Sequence, residues 1–135
     1  MASLETPSQD GSILECRAVT YRLPSGAALV SGLNLRVERG ETLVLLGRSG
    51  SGKTTTLKLI NRLLEPTEGE ILIAGRSGSA WDPIQLRRGI GYVIQDAGLF
   101  PHWTVERNVG LVPQLERWPE SRIRKRVAEM LELVG

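Results

Sequence analysis

The residues whose types and spacing could do chemistry gather in one segment, Gly47-Arg48-Ser49-Gly50-Ser51-Gly52-Lys53-Thr54. It fits the phosphate-binding pattern G-x-x-x-x-G-K-[ST] at every fixed position. Its glycines let the backbone curl until consecutive N–H groups point inward at phosphate oxygens. Lys53 adds a cation able to reach the β and γ phosphates, and Thr54 offers a hydroxyl to Mg²⁺. The candidate nucleotide-binding set is therefore Gly47, Ser49, Gly50, Ser51, Gly52, Lys53, Thr54 and Thr55, with a nucleoside triphosphate and Mg²⁺ as the implied cofactors.

Such a loop must follow a buried strand and open a helix. The short apolar run Thr42 to Leu46 predicts a strand covered on both faces, and Leu57, Ile60, Leu63 and Leu64 predict one face of a helix over Lys53 to Leu64. A triphosphate would then lie where unpaired N–H groups and the helix dipole favour an anion. Upstream, Ile13 to Tyr21, Ala28 to Val30 and Leu33 to Val37 read as short antiparallel strands separated by Pro24-Ser25-Gly26 and Arg39-Gly40 turns. Downstream, Glu70 to Ile73 and Ile90 to Ile94 read as further strands, the second ending at Gln95. Asp96 to Trp103 is a loop, and helical sequence begins near Thr104. Ile123, Val127, Met130, Leu131 and Val134 line one face of a last helix over Ser121 to Val134. On its other face, Arg122, Arg124, Lys125 and Arg126 stand near Glu129 and Glu132, a solvated face rather than a nucleic-acid patch.

Seventeen basic and fifteen acidic residues leave +2, too little to argue for nucleic acid or an anionic membrane surface. Cys16 is the single cysteine and fits a reducing compartment as a small core or strand residue. No apolar run approaches the ~18 residues of a membrane-spanning helix, so a cytoplasmic protein is expected. Residues 1–12 are polar and read as a disordered lead-in. The expected division is this lead-in, a nucleotide-binding core over 13–95, and a loop followed by an incomplete helical part over 96–135.

Tyr21, the loop Gly47 to Thr54 and Gln95 occur in the order and rough spacing of an ABC transporter ATP-binding subunit, which the chain resembles from about Ile13 to Gly135. Asn61 to Ile71, Gly91 to Gln95, Gly98 to His102 and Val112-Pro113-Gln114-Leu115 are similar to the importers of glycine betaine, choline and related osmoprotectants. The resemblance implies an α/β P-loop NTPase of the ABC ATPase type, with an antiparallel β subdomain and a parallel-sheet core. It implies that Tyr21 stacks on adenine, against the alternative of a strand aromatic in a core. It gives Gln95, with Lys53, a catalytic role in which its amide contacts Mg²⁺ or the attacking water, against a plain surface glutamine; the metal contacts are then Thr54 and Gln95. Leu99, Phe100 and Trp103 become anchors for a transmembrane permease subunit, or else pack locally. His102 has no second ligand nearby for a metal.

The same resemblance implies a homodimer of ATPase subunits, a substrate-binding protein met indirectly, no nucleic acid, and a place at the inner face of the plasma membrane. Within the 135 residues no apolar strand ends in Asp-Glu, and neither a Leu-Ser-Gly-Gly-Gln signature nor a switch histidine occurs. The chain therefore reads as an N-terminal portion truncated before those elements, and activity of the chain alone stays open. Two alternatives remain: a nucleotide-binding module without hydrolysis, and a soluble ABC protein serving DNA repair or translation.

Overall fold

A computed structural model describes residues 11–96 and 98–135. The described residues divide into two compact units, the first ending at Ile90 and the second beginning at Gly91. The expected lead-in falls mostly on residues 1–10, outside the described residues. The first unit is built on a four-stranded antiparallel sheet of order β2-β1-β3-β4, with β1 Leu14–Arg22, β2 Ala28–Val37, β3 Glu68–Ile73 and β4 Arg76–Ser77. Between β2 and β3 runs α1, Lys53–Ile60, and after β4 come a short 3₁₀ turn, Gly78–Ala80, and α2, Pro83–Arg88. The two pieces expected at Ala28 to Val30 and Leu33 to Val37 form one strand. A bulged register lets it continue opposite β1, pairing Tyr21 with Val30 and Val19 with Leu33.

A bulge between Cys16 and Val19 shifts the alternation of β1 by one residue, so that Cys16 before it and Val19 and Tyr21 after it all face a core that also takes Val30, Ile71 and Leu59 of α1. Leu59 and Val19 are essentially inaccessible. The helix face read from sequence needs correction here. α1 ends at Ile60, and Leu57 and Leu63 are exposed while Thr56 and Leu59 are buried. Helix α1 meets the sheet through the side carrying Thr56 and Leu59, so the Leu57 side has no sheet to cover it. Leu64 does pack against the core.

Thr42 to Leu46 and Gly91 to Ile94 belong to no strand, so only the antiparallel part of the expected sheet is laddered among the described residues. A parallel strand gains its hydrogen bonds from neighbours on both edges, and neither segment pairs with one. Val44, Leu46 and Val93 are consequently 69 %, 89 % and 93 % exposed.

The second unit holds three helices, α3 Val105–Val109, α4 Leu111–Leu115 and α5 Glu120–Val134. Thr104 caps α3, its hydroxyl accepting from Arg107 N. Ile123 and Val127 are the buried residues of α5. The expected stripe holds for these two and fails toward the C-terminus, where Leu131 and Val134 are exposed, beyond the reach of the short helix α3. On the polar face Arg124 pairs with Glu120 and Arg126 with Glu129, both at 3.2 Å.

Candidate functional site

The phosphate loop wraps the start of α1. Gly50 and Gly52 have φ of +82° and +86°, a left-handed backbone that only glycine adopts without strain. Gly52 stands where α1 begins, and the helix opens without a side-chain cap. The first-turn N–H groups of Lys53, Thr54 and Thr55 have no carbonyl four residues back within the helix. Gly52 also lies against β2: a Cβ there would stand 2.5 Å from Leu29 O and 3.3 Å from Val30 Cγ2. The missing side chain thus lets the loop sit directly on the strand. Thr56 fixes the turn, its backbone N–H and hydroxyl donating to Gly52 O at 2.8 and 3.0 Å.

Lys53 Nζ folds back over this loop. It donates to Gly47 O and Arg48 O, each at 2.7 Å, and to Ser51 Oγ at 3.3 Å. The ammonium is therefore held at the centre of the ring formed by residues 47 to 53, above the start of α1. A cation and converging amides at one helix start can bind the oxygens of a polyphosphate. The Thr54 side chain is exposed at the same helix start, open to a divalent cation. When bound there, Mg²⁺ would neutralise phosphate charge; Thr54 is the residue of this unit fitted to hold it, since a hydroxyl is a hard oxygen donor.

Tyr21 connects to the loop in two steps. It is the register partner of Val30, the residue that lies against Gly52. Half-buried, it packs against the core and keeps one part of its ring accessible. The structure thus groups Tyr21 with Gly47, Ser49, Gly50, Ser51, Gly52, Lys53, Thr54 and Thr55 in the first unit. Gln95 belongs to the second unit, where it is exposed and follows a segment that is not a strand. A separate cleft of about 230 Å³ lies between the end of α1 and β3, lined by Leu59, Ile60, Arg62, Glu65 and Ile71 among others, and contains none of the motif residues.

In the second unit, the loop before α3 is a built structure. Phe100 and Trp103 stack with centroids 4.3 Å apart, and the Arg107 guanidinium lies 4.1 Å from the Trp103 ring on α3. His102 meets both rings edge-on. Leu99 and Phe100 stay exposed while Trp103 is half-buried, so the three expected anchors divide into two outward residues and one supporting residue. Asn108 was not singled out by sequence, although its side chain bonds the backbone of Phe100, Trp103 and Thr104 in this loop. No local pattern marks it, because its partners are backbone groups that only the folded loop brings to it.

A model of the ABC transporter family matches residues 30–135. The choline transport ATP-binding protein OpuBA of Bacillus subtilis is 49 % identical over 121 residues, covering 90 % of this chain and 31 % of that protein. The glycine betaine uptake system ATP-binding protein YehX of Escherichia coli is 50 % identical, covering 78 % of this chain and 34 % of that one. An Fe(3+) ions import ATP-binding protein, FbpC 2 of Rhodococcus jostii, reaches 46 % over 113 residues. The chain thus spans about a third of the length of these curated relatives. Among solved structures, cbiO1 of Clostridium perfringens, part of the transporter complex cbiONQ, superposes with a TM-score of 0.82 at 31 % identity, over 91 % of this chain and 50 % of that one. By family match and by fold together, the chain belongs to the ABC transporter family and carries the ABC ATPase fold.

Proposed function

We propose that the chain binds Mg-ATP as part of an ATP-binding subunit that drives import of quaternary-amine osmoprotectants. The observation that carries this reading is the loop at the start of α1, where Lys53 Nζ is gathered by Gly47 O and Arg48 O above uncapped helix amides. Lys53 and residues 47 to 55 hold the triphosphate, Thr54 the metal, and Tyr21 the adenine ring. Gln95 contributes an amide to the metal or to the attacking water. The substrate class is supported by relatives named for choline and glycine betaine at 49 % and 50 % identity.

Partners follow from the same reading. Leu99 and Phe100 dock on a transmembrane permease subunit at the inner face of the plasma membrane, two ATPase subunits form the working dimer, and a substrate-binding protein acts indirectly. A working division of 13–95 for nucleotide and 96–135 for coupling agrees with these roles. Among the described residues no helix is long and apolar enough to cross a membrane, so membrane attachment in this scheme runs through the permease. Calorimetric titration of Mg-ATP into the chain tests the core of the proposal. Saturable one-site binding lost in Lys53→Ala is the expected result; binding unchanged by that substitution overturns it.

A further inference from the structure

We propose that Asn108 is the positioning residue of the docking loop, a side-chain clamp that fixes the backbone from Phe100 to Thr104 and so decides how Leu99 and Phe100 are presented. The proposal rests on the reading of that loop as the permease contact. Its evidence is a set of bonds converging on one amide. Asn108 Oδ1 accepts the Phe100 N–H at 2.8 Å, and Nδ2 donates to Phe100 O at 3.2 Å, Thr104 O at 3.0 Å and Trp103 O at 3.5 Å. Oδ1 and Nδ2 together thus hold both polar groups of a single residue, Phe100, in the manner of a strand partner. The same Nδ2 reaches the consecutive carbonyls of Trp103 and Thr104, where the loop enters α3.

A carboxamide is suited to this task because it carries an acceptor and two donors on one short, rigid stem. Asn108 itself is anchored by α3, its backbone N–H donating to Thr104 O at 3.0 Å, so the clamp transmits the orientation of the helix to the loop. The rings add a second layer. Trp103 packs on Phe100 and also carries the Arg107 guanidinium over its ring. Rings alone cannot fix the Phe100 backbone, whereas a paired N–H and C=O can. The exposed apolar residues therefore sit on a loop whose shape is set by a polar side chain that need not touch the partner. Preorganisation of this kind lowers the ordering cost of binding.

Substitution by aspartate separates the two halves of the clamp. Asn108→Asp keeps an acceptor for the Phe100 N–H and removes every donor, so at pH 7 a carboxylate faces the carbonyls of Phe100, Trp103 and Thr104. Protonation restores one donor. Measured against the wild type, which carries the same His102 and Arg107 beside the Phe100 and Trp103 rings, the loop in Asn108→Asp should therefore be opened at pH 7 and should tighten as the pH falls through the carboxyl range; a merely space-filling role adds no such difference. Exchange of the Phe100 amide with solvent, followed by NMR on the full chain, reads this directly. We expect at least tenfold faster exchange in Asn108→Ala. In Asn108→Asp the exchange, corrected for the intrinsic pH effect, should slow as the carboxyl protonates.

Docking is read with the same chain on inside-out vesicles bearing the permease subunits of the choline-transport system whose ATP-binding protein is 49 % identical. Wild type should bind, and Asn108→Ala and the double variant Leu99→Ala, Phe100→Ala should each bind about tenfold more weakly, with Mg-ATP affinity unchanged. Unaltered Phe100 exchange in Asn108→Ala, or loss of its binding accompanied by an equal drop in Mg-ATP affinity, overturns the clamp. Failure of wild type to bind, or unaltered binding by the double apolar variant, overturns the docking reading, and the positioning role built on it falls too, while the exchange data still report the loop contact on their own.

Discussion

Alanine at Gly52 and at Gly50 should separate two demands that the phosphate-binding motif merges into one letter. Both positions have a left-handed backbone, +86° and +82°, and alanine in that region costs about 1–2 kcal/mol. At Gly50 nothing lies within 4 Å of a new Cβ, so this strain is the whole cost. At Gly52 the new Cβ would stand 2.5 Å from Leu29 O and 3.3 Å from Val30 Cγ2. The first neighbour is the backbone of β2 and cannot rotate away, so loop and strand must part. Overpacking of this kind costs a further ~1–3 kcal/mol. The expected totals are about 1–2 kcal/mol for Gly50→Ala and about 2–5 kcal/mol for Gly52→Ala. Urea denaturation followed by circular dichroism reads the difference; the ~1–3 kcal/mol between them, at a slope near 1–2 kcal/mol per molar, should set the midpoints about 0.5–3 M apart. Amides of β2 around Val30 should exchange faster in Gly52→Ala alone. Coincident midpoints, or the lower midpoint in Gly50→Ala, would refute the reasoning that Gly52 is kept small by its contact with β2.

The remaining expectations concern nucleotide, tyrosine, thiol and turnover. Lys53→Ala removes the cation that would meet the β and γ phosphates, and hydrogen bonds to charged groups contribute ~1.5–3 kcal/mol each, so Mg-ATP affinity measured by calorimetry should fall at least tenfold. Tyr21→Phe should keep Mg-ATP affinity and Tyr21→Ala should lose about fivefold, the ~1 kcal/mol of one aromatic stack; equal affinities would take Tyr21 out of the site. Burial pushes the Cys16 thiol up to about 11 from 9.0, so the unfolded chain loses this proton first as pH rises. Stability from this source is full below pH 9 and declines between pH 9 and 11, by up to about 2–3 kcal/mol; urea midpoints of wild type and Cys16→Ala should converge over that range, and a constant gap would contradict it. The 135 residues alone should bind ATP with little turnover, because a missing general base typically costs ~10²–10⁴-fold; phosphate release at the rate of an intact relative, abolished by Lys53→Ala, would contradict this.

What was legible in the sequence follows from how far each signal reaches along the chain. The phosphate loop is local: eight consecutive residues specify the turn, the cation and the start of the helix, and Lys53 and Gly52 stand where the pattern puts them. Thr104 is local too, a cap whose hydroxyl meets the N–H three residues on. Asp82-Pro83 opens α2 in the same way, with Asp82 Oδ1 accepting from Ile84 N and Gln85 N, and the signal was there to be read. Apolar runs carry a weaker message. Thr42 to Leu46 states that something must cover it without stating what, and a strand exists only when its neighbours do. The leucines after Lys53 show the same limit on a smaller scale, since Leu57, Leu59, Leu63 and Leu64 satisfy more than one helical face and only the position of the sheet chose Leu59. Asn108 lies beyond either kind of signal. An asparagine on a five-residue helix carries no pattern of its own, and its meaning comes from four backbone groups that fold back onto it. Side chains proposed to bind nucleotide can thus be named from spacing, whereas one proposed to shape a surface for a partner becomes visible only once the backbone it holds has a course.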